Sequence, residues 1–214
     1  MRIGEMTAGE NTPMLGRGLA ELAASVVAAL RETHYRHKIH IDPAAGVFDV
    51  DCSGFVSYLI QQVAERHYQM LAKSTADPRP LARDYYRFAA ALAPSIHQGW
   101  RRIIQLADAM PGDIVAWNHR DASTGDTGHV FVVANDTVAR PDGEYLIPVS
   151  DSSSRKHFDD SRGDGHKFAD GVGSGQSRFA PIRPGRRPPF SATPGRRSIM
   201  CRSPLPASSR FSAG

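Results

Sequence analysis

The sequence predicts an α+β domain, on two observations. Amphipathic stripes at helical spacing fill the first half of the chain, and short β-branched runs bounded by turn residues fill the second. Helices followed by strands imply segregated layers, here a helix beginning near Asp51 packed on an antiparallel sheet built from about Asp113 to Val149. At 214 residues and 41% hydrophobic content, the chain has material for one such core with extensions.

Residues 1–16 are polar and are predicted to be flexible. Leu19, Leu22, Ala23, Val26, Val27 and Leu30 then form a helical stripe. The segment Thr33 to His40 carries His34, His37 and His40 with no adjacent cysteine or carboxylate pair, so a solvated basic face is the favoured reading over a metal site. Phe55, Val56, Leu59, Ile60 and Val63 mark a second helix, with Asp51 as its N-cap, running to about Met70 or Leu71. Ala76-Asp77-Pro78-Arg79-Pro80 ends it. A third helix over Leu81, Tyr85, Phe88, Ala89 and Leu92 stops before Pro94. The Pro111-Gly112 turn opens a strand over Ile114–Trp117, and Asn118 to Asp126 is a polar loop. A partner strand starts at His129, and Arg140-Pro141-Asp142-Gly143 turns the chain into Tyr145–Asp151, giving a meander.

The chemistry concentrates at Cys52. A cysteine at the first helical position sits at the positive end of the helix dipole, where thiolate is favoured over thiol, which makes it a candidate nucleophile. The alternative is a small buried hydrophobe. A nucleophilic thiol needs a base, and His129 at a strand mouth can stand beside a helix start. A third polar group would fix the histidine tautomer, and Asp151 at the end of the next strand fits best. His157 and His166 are runners-up for that place.

Asp51-Cys52-Ser53-Gly54-Phe55, Pro111-Gly112-Asp113-Ile114-Val115 and Gly128-His129-Val130 together resemble the NlpC-type cysteine peptidases, papain-like cell-wall hydrolases related to CHAP amidases. The three motifs come in the family's order and span roughly residues 35 to 155. The resemblance implies a papain-like fold, Cys52 as nucleophile, His129 as base, and hydrolysis of an amide bond in a peptidoglycan peptide, with no cofactor and no metal. In the family the third position is often a second histidine, sometimes Asn, Gln or Asp; this sequence presents Ser150 and Asp151 there. The resemblance also suggests Tyr35 as a second oxyanion donor beside the Cys52 backbone amide, against the reading of a packed aromatic. An acyltransferase using the same thiol and a non-catalytic cell-wall binding module are the alternatives.

Net charge +4 and pI near 9.3 suggest an anionic partner such as nucleic acid. The distribution argues otherwise. Eight arginines and no acidic residue follow position 177, leaving 18 basic against 22 acidic side chains in residues 1–177. Nucleic acid is therefore not expected as a partner of the catalytic body. The domain is expected over 17–175, followed by a low-complexity basic tail, 176–214, that is disordered and whose removal leaves the melting temperature nearly unchanged. Asp159, Asp160, Asp164 and Asp170 match no calcium loop and read as solvated. Cys52 and Cys201 give no disulfide framework. No leader-like apolar region and no membrane span are visible, which points to the cytoplasm, whereas the resemblance points to the cell envelope. Oligomeric state is not encoded in any recognisable pattern.

Overall fold

The computed structural model describes residues 12–75, 77–95, 98–118, 128–163, 168–179 and 198–202. The elements are α1 (Thr12–Ala29), β1 (Glu32–Tyr35), β2 (His40–Asp42), β3 (Val47–Val50), α2 (Cys52–Lys73), α3 (Ala82–Ala91), β4 (Arg101–Ile103), a 3-10 turn (Leu106–Asp108), β5 (Ile114–Trp117), β6 (His129–Val133), β7 (Val138–Ala139), β8 (Tyr145–Ser153), β9 (Gly171–Phe179) and β10 (Ser198–Arg202). The architecture is mixed α+β, with three helices and a main sheet whose strand pairs are antiparallel. No helix among the described residues is long and apolar enough to cross a membrane.

The main sheet is ordered β4-β10-β5-β6-β8-β7, with β9 also paired to β8 over nine register positions from Tyr145↔Phe179 to Ser153↔Gly171. A smaller sheet, β1-β3-β2, contains one parallel pair, β1 with β3. Alternation along the central strands feeds two cores. Ile114, Ala116, Val130 and Val132 join Phe55, Val56, Leu59 and Ile60 of α2, while Val115, Phe131, Val133, Ile147 and Val149 form a second cluster. Each fully buried side chain of this size contributes about 1.5–3 kcal/mol. The Ser57 and Tyr85 hydroxyls, 2.8 Å apart, tie α2 to α3.

Two glycines of the recognised motifs have left-handed backbones that no side chain could follow. Gly112 has φ +86°, and a Cβ there would lie 1.7 Å from the Gly16 carbonyl, so the Pro111-Gly112 turn is also where the first turns of α1 dock. Gly128 has φ +117°, and a Cβ would meet the Trp117 carbonyl at 2.0 Å. The two strands therefore approach closely at the residue before His129. Asp113 is buried and accepts a bond from Met110 N at 2.8 Å, which closes the turn from inside.

The chain ends differ from expectation. α1 begins at Thr12, inside the segment expected to be flexible; residues 1–11 lie outside the described residues. The expected domain boundary at 175 falls within β9, which runs on to Phe179 because the whole of β8 offers it partners. In the expected tail, Ser198–Arg202 forms β10 between β4 and β5, pairing Cys201 with both Arg102 and Ile114. Average composition hid a short apolar run, Ile199-Met200-Cys201, that suffices for a strand once two open edges are available. Residues 180–197 and 203–214 of that tail, and the loop 119–127, lie outside the described residues.

Truncation after Phe179 would strip the ladder partners from facing edges of β4 and β5. We expect it to lower the melting temperature by on the order of 5 °C or more in a calorimetric scan. An unchanged transition would mean that β10 contributes nothing to the sheet.

Candidate active site

The site forms where the start of α2 meets the sheet. Asp51 caps the helix: its Oδ1 accepts from Gly54 N at 2.7 Å and from Ser53 Oγ at 2.8 Å. Ile39 packs over Gly54, where a Cβ would lie 2.4 Å from Ile39 Cδ1 and would push the end of that side chain aside. Arg79, from the turn after α2, clamps the cap, with its guanidinium 2.5 Å from Asp51 Oδ2 and 2.8 Å from Ser53 Oγ. Burial pushes the Asp51 carboxyl up, but the Arg79 and Gly54 hydrogen bonds outweigh it and hold it below the usual carboxylate range. The Asp-Cys-Ser-Gly motif is thus a set of cap contacts that fixes Cys52, 4% exposed, at the first helical position. There its backbone N–H has no partner within the helix and is available to an oxyanion.

The sheet is held against this helix start by two buried hydroxyls. Ser152 Oγ, in β8, donates to Val50 O at 2.6 Å, two residues before Cys52. Thr33 Oγ1 donates to Phe48 O at 2.6 Å and accepts from Val172 N at 2.8 Å. These bonds set the sheet beside Cys52. His129 then stands within side-chain hydrogen-bonding reach of Cys52. Its Nε2 lies 2.6 Å from Asp151 Oδ2, so Nδ1 is the ring nitrogen left for sulfur. The Trp117 ring packs on the imidazole at 5.1 Å.

Cys52, His129 and Asp151 are therefore brought together. Burial is the largest influence on His129 and opposes its cation, yet the negative charge on Cys52 and the Asp151 hydrogen bond outweigh it, raising the pKa to about 10. Burial likewise pushes Asp151 up, but hydrogen bonds from His129 and His157 hold the carboxyl far below its usual range. The arrangement can store a proton on His129 beside a nucleophilic sulfur, the requirement for attack on a carbonyl followed by protonation of a leaving group.

Tyr35 sits in β1 opposite Val50, so its strand ends beside the helix start, and its ring packs edge-on against His37 at 5.6 Å. His34, His37 and His40 face different carboxylates rather than one point: Asp170 and Glu32 at 3.7 Å, Asp51 at 3.3 Å, and Asp49 at 4.0 Å. His166 and Asp164 lie outside the described residues.

Asp160 departs from the solvated reading. It is 8% exposed and holds Arg162, 1% exposed, through a bidentate pair at 2.7 and 2.8 Å. Arg162 also donates to the carbonyls of Ser153 and Gly171, and its guanidinium is 3.6 Å from Asp151 Oδ1. His157 shares Asp151 with His129. Sequence reasoning named His157 only as an alternative and missed Arg79 and Arg162. The available signal was the Asp160/Arg162 spacing, which suits a local ion pair but does not say that it is buried.

No family model matches the chain, and no solved structure matches it. One stretch of 86 residues is 34% identical to the uncharacterized protein R653 of Acanthamoeba polyphaga mimivirus; it covers 39% of this chain and 35% of that protein. The chain thus spans about a third of the length of the curated relative it matches.

Asp51→Ala removes the cap and strands Arg79, so it should lower the unfolding free energy by about 1–3 kcal/mol in urea titration. A change within error would mean that water replaces the carboxylate. Because the folded pKa of His129 lies above its ordinary 6.5, the stabilisation from its protonation is complete below pH 6.5 and is lost as pH rises through about 10. Asp151, shifted down, contributes stability above its ordinary 3.8 that is lost as pH falls through its folded value. In an NMR titration the His129 ring should still be protonated at pH 8 and titrate lower in Cys52→Ala. A midpoint near 6.5 in the wild type would refute the charge pairing.

Proposed function

We propose that the protein is a cysteine hydrolase, a peptidase or amidase of the NlpC type with a papain-like arrangement, acting on amide bonds of peptidoglycan peptides. One observation carries this reading: Cys52 at the first residue of α2, a strand-opening His129 and a fully buried Asp151 converge in one hydrogen-bonded chain. The resemblance of the three motifs around these positions supplies the substrate class.

In the proposed reaction, the Cys52 sulfur attacks the amide carbonyl and its electron pair forms the C–S bond. The carbonyl oxygen gains negative charge and is met by the Cys52 backbone N–H. His129 gives its proton to the amine nitrogen as the C–N bond breaks, leaving a thioester. Water then adds to the thioester, its proton passes to His129, and the C–S bond breaks to release the acid and restore the pair. Asp151 keeps the imidazole oriented and its cation stabilised throughout.

The test is incubation with purified peptidoglycan and mass analysis of released fragments. Cys52→Ala is expected to abolish release and His129→Ala to come close. Asp151→Asn keeps the shape but loses the charge, so it should reduce the rate about 100-fold or more with the fold intact. Full activity in Cys52→Ala would overturn the hydrolase reading. Transfer of the acyl group to an added amine in preference to water would point to a transferase. A thiol probe that labels Cys52 no faster than Cys201 would point to a binding module.

A further inference from the structure

Asp151 is served by more groups than a three-residue site needs. Its Oδ2 receives His129 Nε2 at 2.6 Å and His157 Nε2 at 2.8 Å, while Oδ1 has no hydrogen-bond partner among the described residues and faces Arg162 at 3.6 Å. An ionised carboxylate only accepts, so both Nε2 atoms must carry hydrogen. On His157 this tautomer is compatible with Nδ1 accepting from the Ser177 hydroxyl at 3.0 Å, and the backbone N donates to Asp160 Oδ2 at 2.6 Å. Gly175 on β9 lets the loop lie close, since a Cβ there would be 2.7 Å from His157 Cβ. The groups facing His157 are thus Asp151 and Ser177 at its ring and Asp160 at its backbone, with His129 and Arg162 across the shared carboxylate.

The geometry points to His157 as a positioning residue that holds Asp151 on His129 against the pull of Arg162. Two donors occupy the two lone pairs of Oδ2, and the carboxylate cannot turn without breaking one of them. Without His157, a small rotation would bring Asp151 onto the Arg162 guanidinium, which offers a competing charge-assisted bond, and His129 would lose its orienting partner. The inference rests on the hydrolase reading for its consequence on rate, but its geometric content can be tested without a substrate.

The experiment is an NMR titration of the His129 ring in the wild type, His157→Ala and His157→Gln, with alkylation of Cys52 by iodoacetamide and turnover on peptidoglycan measured beside it. Gln can place an N–H near the position of Nε2. The expected result is a His129 midpoint lowered by roughly one unit or more in His157→Ala and largely restored in His157→Gln. Turnover should fall about tenfold to a hundredfold in His157→Ala with little change in KM. A midpoint unmoved or raised in His157→Ala, as loss of a competing donor alone would give, overturns the inference. So does equal displacement in both variants. If His157→Ala fails to fold, the Gln variant decides by the same midpoint: near the wild-type value supports the role, displaced rejects it. If no variant, nor the wild type, acts on peptidoglycan, the substrate reading fails while the titration still judges His157.

Discussion

The structure depends on one buried carboxylate. Asp151 has no solvent exposure, and an ion there is tolerable only if its charge is answered on every side. The answers come from two segments: His129 from β6, and His157 and Arg162 from the loop after β8, Arg162 being itself neutralised by Asp160. Removing one partner of such a cluster costs about 3–5 kcal/mol, comparable to a large part of a domain's total stability. The loop 154–163 is therefore bound to the sheet by charge. What fixes His129 also fixes the fold around it.

The helix start follows the same logic at its own scale. Asp51 is nearly buried and is answered by Arg79, Ser53 and the Gly54 amide. Two carboxylates, one at the helix cap and one in the sheet, each hold a cationic partner; Cys52 follows the first in the chain and faces the His129 held by the second. Ser152 and Thr33, which bond the backbone before α2, transmit the position of one cluster to the other without a charged group. The small sheet β1-β3-β2 serves as the frame through which those bonds act.

Most of the fold was legible because its signals are local. The helical stripes from Leu19, Phe55 and Leu81 match α1, α2 and α3, and Gly112 and Gly128 mark the two ends of a hairpin whose backbone only glycine allows. Cys52 and His129 were readable for the same reason, each being defined by its place at an element's first residue. The contacts of Arg79, Arg162 and His157 were not readable, because each is an arrangement in space: Arg79 reaches back 28 residues to Asp51. A polar loop with balanced charges looks the same whether its ions face water or each other. β10 was missed by averaging, since five residues of strand cannot change the composition of a basic segment.

β10 also sets the order in which the sheet can be completed. It is the last of the described strands to leave the ribosome, yet it belongs between β4 and β5, whose residues were made roughly 80 to 100 positions earlier. Until it arrives, both neighbouring strands present unpaired amides and carbonyls, the kind of template that recruits other chains. The newly made protein can thus assemble its helices, its β5–β6 hairpin and its buried charges while one seam of the sheet stays open. Synthesis at a crowded polysome is the stage at which this molecule is most exposed to mispairing with its own copies.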